Sequence, residues 1–144
     1  MADEKMAISR KQIGSEVPMV TNEITDDCIY AGLFGSLDSL RMGLVSDKIK
    51  KLANEKEIDI VIIDLSNVEA IDTAVAGHIN RLINTLKFVG VESILCGIKD
   101  ELADTMVRAG VELESTIIVR NLKSALKESF KASGYVINKI VENH

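Results

Sequence analysis

Four consecutive β-branched residues, Ile60, Val61, Ile62 and Ile63, stand between Asp59 and Asp64. A run that short predicts a strand covered on both faces. Leu65 to Ile71 then mixes Ser66, Asn67 and Glu69 with Val68 and Ile71, which predicts a polar turn pinned at two points. Asp72 is placed to cap a helix, because its carboxylate can accept from the free amides of the first turn. Beyond it Val75, Ile79, Leu82, Leu86 and Val89 recur at spacings of four and three, a single helical stripe, with His78, Asn80, Arg81, Asn84 and Lys87 off it. Gly90 is the expected left-handed stop.

The same reading extends in both directions. Met1 to Glu16 is charged and without a clean period, as a loose tail would be. Pro18 opens an edge strand over Val17–Ile24, and Thr25-Asp26-Asp27 turns into a second strand over Cys28–Phe34. A helix near Asp38–Asn54 carries Leu40, Leu44, Val45, Ile49 and Leu52 on one side. A strand over Glu92–Gly97 follows the central helix. Next comes a helix over Lys99–Ala109 with Leu102, Ala103, Met106 and Val107 inward, stopped by Gly110. A short strand over Thr116–Val119 and a helix from Leu122 through Phe130 complete the domain.

The expected fold is α/β: a mixed sheet of about five strands, an opening hairpin and then alternating strands and helices, with about four helices packed on it. The expected boundaries are a tail over 1–16, a domain over 17–131 and an extension over 132–144. In the extension Val136, Ile137, Ile140 and Val141 keep the phase set by Leu122, Leu126 and Phe130. The helix is therefore expected to continue, or to restart after a kink at Ser133-Gly134, burying its apolar edge against a second chain. The alternative is a return onto its own sheet.

Composition narrows the function classes. The 144 residues suffice for one domain with a real core. A net charge of −5 with no basic block argues against nucleic acid and anionic membrane surfaces as partners. No apolar run approaches a membrane span, and the N-terminus lacks a signal-peptide core. Cys28 and Cys96 lie in apolar strands, which suits reduced thiols in a cytoplasmic protein. With two Tyr, three Phe and no Trp, stacking platforms are not expected.

The candidate chemistry gathers at the start of the central helix. The hydroxyl of Thr73 should be exposed at the carboxyl end of a central strand, where open α/β sheets carry their sites. Ala74, Ala76 and Gly77 make that helix end small-sided. A mid-helix glycine costs about 1 kcal/mol against alanine, so close approach by a partner is one reason for Gly77.

The run VIIDLSNVEAIDTAVAGHI resembles the signature of STAS domains, the fold of bacterial anti-sigma factor antagonists. Asp64-Leu65-Ser66 matches the strand end, and Asp72-Thr73 matches the acidic-hydroxyl pair that opens the following helix. Within the family, Asp72 to Ile79 and Gly97 to Val111 are most similar to the Rsb-type stressosome scaffold proteins. The resemblance covers about Val17 to Phe130. It implies a protein-interaction switch that binds a histidine-kinase-like serine/threonine kinase, or an anti-sigma factor of that class. It also implies paralogous STAS proteins as partners. By residue match Thr73 is the phosphoacceptor and Thr105 a second one. The expected partner-binding face is Asp72, Thr73, Ala74, Ala76, Gly77, His78, Asn80 and Arg81. Asp64, Glu69 and Asp72 should make the surroundings of Thr73 acidic, so that phosphate, worth about −1.5 to −2 charges, changes affinity rather than fold.

Two plainer readings stand beside these. Thr73 could be an ordinary first-turn residue beside its cap, and Thr105 an idle exposed threonine. The threonine acceptor resembles the R-type proteins, yet sixteen preceding residues cannot be their sensor domain; in architecture the chain looks like the stand-alone S-type. No catalytic set, metal site or cofactor motif is visible. His78 and His144 lack partners at ligand spacing, and Gly32-Leu33-Phe34-Gly35 lacks the lysine of a phosphate loop. An interaction domain, a homodimer or larger assembly, is the leading expectation. A small-molecule or nucleotide sensor on the same fold is the alternative. An enzyme is not expected.

Overall fold

The computed structural model describes residues 17–141, so the tail expected over 1–16 lies outside the described residues. Five strands lie side by side in chain order: β1 (Met19–Thr25), β2 (Cys28–Gly35), β3 (Ile60–Val68), β4 (Glu92–Cys96) and β5 (Ile117–Val119). β1 and β2 form the antiparallel hairpin, and every later neighbour pair is parallel. Among the described residues the helices are α1 (Ser39–Glu55), α2 (Thr73–Phe88), α3 (Asp100–Arg108) and α4 (Leu122–Ala132).

The strand order explains the layering. Three crossovers step in one direction, and right-handed connections put their helices on one face. Ile29, Ala31, Leu33, Val61, Ile63, Leu65 and Leu95 meet the apolar sides of α1, α2 and α3 there. Among the described residues the other face receives only α4, over Cys28, Ile60, Ile62, Ile94 and Cys96. Alternation along the strands accounts for both sets.

Several expectations need correction. β3 continues through the predicted turn to Val68. The β2–β3 register slips between Gly32 and Phe34, so that Gly35 pairs with Val68. This bulge turns both Leu65 and Val68 to the helix-rich side despite their spacing of three, and leaves only Glu69–Asp72 as the loop. In α1 the inward residues are Met42, Val45, Ile49 and Ala53, while Leu40 is 76% exposed. In α3 Leu102, Thr105 and Met106 are buried and Val107 points out. Val89 is also exposed, because the helix ends at Phe88 with Gly90 at φ +84. Finally, α4 stops at Ala132 and Gly134 turns the chain at φ +83. Tyr135 to Val141 carry no helix and are exposed, which replaces the expected continuation or restart.

Candidate functional site

Thr73 is the first residue of α2, and its side chain is exposed. Asp72 before it is extended, with φ −94 and ψ 177, and its Oδ1 accepts from the Val75 amide at 2.8 Å. One carboxylate oxygen thereby satisfies a first-turn donor that has no partner within the helix. Val75, Ala76, Ile79, Leu82, Ile83 and Leu86 bind the rest of α2 to the core. The hydroxyl is thus displayed from a rigid support rather than from a loop.

The neighbouring ground is built with equal care. The Glu69 amide donates to Gly35 O at 3.0 Å, fixing the β3–α2 loop against the end of β2. Ser36 Oγ donates to the Glu69 carboxylate at 3.1 Å. Asp38 caps α1 by accepting from the Arg41 amide at 2.8 Å, and the Arg41 guanidinium donates to Ser36 O. Glu69 and Asp72 therefore keep this loop acidic, while the positive amino end of α2 faces it.

The expected partner-binding residues divide into two rows. Thr73, Ala74, Gly77 and Arg81 are exposed and His78 is half-buried, on the row that faces outward beside α1. His78 and Arg81 line a groove with Gly43, Asp47 and Thr85. A Cβ on Gly77 would meet nothing within 4 Å, so no packing among the described residues demands the glycine. Ala76 is a correction: it is fully buried and cannot touch a partner. It leads the row Ala76, Asn80, Ile83, Lys87, which turns away from the exposed one. At its end Lys87 bonds Ser115 in the loop after α3. Asn80 is half-buried on that row, and its Oδ1 is buried without a hydrogen-bond partner.

Thr105 is a second correction. It is 6% exposed, not an idle surface residue. Its hydroxyl donates to Glu101 O at 3.1 Å and accepts from Arg108 at 3.2 Å. It also lines a narrow cleft against Val68, Glu69, Ala70 and Ile71, on the loop that carries Thr73.

Asp64 does not belong to the acidic surroundings of Thr73. It shares strand parity with Ile60 and Ile62, so its side chain lies on the α4 face, 6% exposed. Burial alone would raise its pKa. The Ser66 hydroxyl at 2.6 Å, the Ser66 amide at 3.0 Å, Tyr30 Oη at 2.7 Å and the nearby Cys96 thiol outweigh that and hold it below the ordinary value. Burial first, then this carboxylate, pushes the Tyr30 phenol upward. Burial likewise raises the Cys96 thiol to about 12, helped by Asp64, and the Cys28 thiol to about 11. The sequence reading missed this network. The parity of Asp64 along β3 was the available signal; its pairing with Tyr30 was not. Among the described residues no group of three His, Cys, Asp or Glu side chains could hold a metal ion, and no helix is long and apolar enough to cross a membrane.

An exposed hydroxyl at a capped helix start, after a strand that carries Asp-Leu-Ser within it, in a five-strand mixed sheet, defines a class. The family model of the STAS domain matches residues 19–129, and the chain belongs to that family. Among its relatives is the RsbT co-antagonist protein RsbRB of Bacillus subtilis, 35% identical over 94 residues, which cover 65% of this chain and 34% of that protein. The chain thus matches about a third of that relative's length. A variant of RsbS from Moorella thermoacetica shares the fold with a TM-score of 0.66 at 22% identity, over 81% of this chain and 99% of that one. The anti-sigma factor antagonist SpoIIAA in its unphosphorylated form does so with a TM-score of 0.66 at 16% identity, over 83% and 99%.

Proposed function

We propose that this chain is a phosphorylation-switched interaction domain of bacterial stress signalling, an anti-sigma factor antagonist or stressosome-type scaffold, and not an enzyme. The observation that carries the reading is the exposed Thr73 hydroxyl at the first position of α2, beside the Asp72 cap. The partner is a serine/threonine kinase or anti-sigma factor of the histidine-kinase-like class. The name of RsbRB, a co-antagonist of RsbT, supports that choice. The partner docks on the outward row Thr73, Ala74, Gly77, His78 and Arg81, where the small residues let a second backbone approach. Phosphate on Thr73 adds charge beside Glu69 and Asp72 and repels an acidic docked surface. Thr105 could accept phosphate only after α3 loosens, because its hydroxyl is buried and bonded at both sides.

The sensor reading takes second place. A cleft of about 410 Å³ lies between the carboxyl ends of α1 and α2, away from Thr73. Its one cation, Lys50, is outnumbered by Glu57 and Asp59, a poor cradle for a nucleotide's phosphates.

The test uses a purified serine/threonine kinase of the histidine-kinase-like class. Incubation with ATP should place phosphate on Thr73, located by mass spectrometry, and Thr73→Asp should weaken kinase binding on the order of tenfold or more, about 1.4 kcal/mol. Unmodified Thr73 together with equal binding by Thr73→Asp and the wild type would overturn the reading.

A further inference from the structure

Among the described residues one half-face of the sheet has no helix over it. α4 packs against β3, β4 and β5, and Ser129 near its end reaches Cys28 at the start of β2. Over the rest of β1 and β2 no described helix lies on that face. Val20 is 53% exposed there and Phe34 43%, with the Tyr30 ring lying against Gly32 between them. Two strands span about 10 Å, the width of one helix. The vacancy is helix-sized.

The chain also carries an apolar segment without a place. Tyr135 is anchored to the end of α4, its amide donating to Phe130 O at 2.8 Å and its ring edge-on to Phe130. Beyond it Val136, Ile137, Ile140 and Val141 are 64–87% exposed. Their i, i+1, i+4, i+5 spacing puts all four on one side of a helix, whereas an extended strand would divide them between two faces.

We infer that the C-terminal segment Tyr135–Val141 docks as a helix on this β1–β2 half-face of a second copy of the chain, in a reciprocal two-fold exchange. Reach decides for the second copy. The segment leaves α4 beside Cys28, and Phe34 is six residues further along β2, about 20 Å away. A helix over 135–141 is only about 10 Å long and falls short of Phe34 in its own chain. A two-fold partner has no such constraint. Reciprocity counts every contact twice, as two short segments must to approach the ~1,200–2,000 Å² of a stable interface. This surface is distinct from the Thr73 row, and its test does not depend on phosphorylation.

Sedimentation of the full chain at tens of micromolar should show a dimer. Ile137→Asp with Ile140→Asp in the segment, or Phe34→Asp on the half-face, should each weaken it on the order of 100-fold. Because these side chains are exposed, circular dichroism should stay unchanged; Val20→Asp is a second half-face variant should Phe34→Asp lose structure. Mixing the segment variant with the half-face variant should recover a 1:1 dimer where neither dimerises alone, weaker than wild type because one of two contacts survives. Removal of residues 1–16 should leave the dimer intact. A monomeric wild type, variants that stay dimeric, a mixture without complex, or loss of the dimer on removing 1–16 each overturns the exchange.

Discussion

The phenol of Tyr30 donates to Oδ2 of Asp64 at 2.7 Å, across the β2–β3 pair and 34 positions of sequence. Tyr30→Phe removes that donor and should cost about 1–2 kcal/mol in urea unfolding. A Cβ on Gly32 would stand 2.5 Å from the same hydroxyl oxygen and displace the ring. Gly32→Ala should therefore destabilise the wild type but add much less to Tyr30→Phe, a non-additivity that a double-mutant cycle reads directly.

Asp64 sets an acid limit to stability. Its folded pKa lies below the usual 3.8. The carboxylate therefore contributes stability that is complete above the unfolded value and is lost as pH falls through the folded one. Asp64→Asn should be about 1–3 kcal/mol less stable than wild type near pH 6. The gap should begin to narrow as pH falls through the unfolded value of about 4 and close only once the folded carboxyl, held lower, takes up its proton. Chemical denaturation across that range checks it, and a gap independent of pH would refute the network.

Gly97 sits at φ +75, and a Cβ there would fall 2.6 Å from the Ser66 amide nitrogen and 2.8 Å from Asp64 Oδ1. Backbone conformation and contact both oppose a side chain. Gly97→Ala should cost about 2 kcal/mol or more, visible as a lower denaturation midpoint at unchanged slope.

The two threonines should behave oppositely in stability. Thr73→Ala and Thr73→Asp should stay within about 0.5 kcal/mol of wild type, since the side chain is exposed and unbonded. Asp72→Ala beside it should cost about 1 kcal/mol through the lost cap. Thr105→Asp buries a carboxylate without room and should cost about 2 kcal/mol or more, while Thr105→Ser should be milder. Thermal unfolding of this set ranks them.

Much of this arrangement could be read from residue order. Asp72, the stripe from Val75 to Leu86 and Gly90 located α2 and the displayed Thr73, because cap, stripe and stop are all local signals. The Asp-Leu-Ser and Asp-Thr pairs supplied the family. Phase within the other helices was less legible. Leu40 is exposed because α1 has only just begun at Ser39, while Met42 and Ala53 fill the positions that leucines were expected to take. In α3 Thr105 displaced Val107 from the interior, since the row Leu102, Thr105, Met106 faces the β3–α2 loop and polarity did not decide it. The Tyr30–Asp64 bond was illegible, because it requires the β2–β3 register. The stripe from Val136 to Val141 is genuine in sequence, but among the described residues its side chains stay exposed.

A sheet whose strand order steps in one direction has one finished side and, among the described residues, half of the other left open. Thr73 belongs to the finished side, and the ground around Phe34 to the open one. Crowding of like molecules along the latter would leave the former unobstructed, so self-assembly and the reading of a signal need not compete for the same territory.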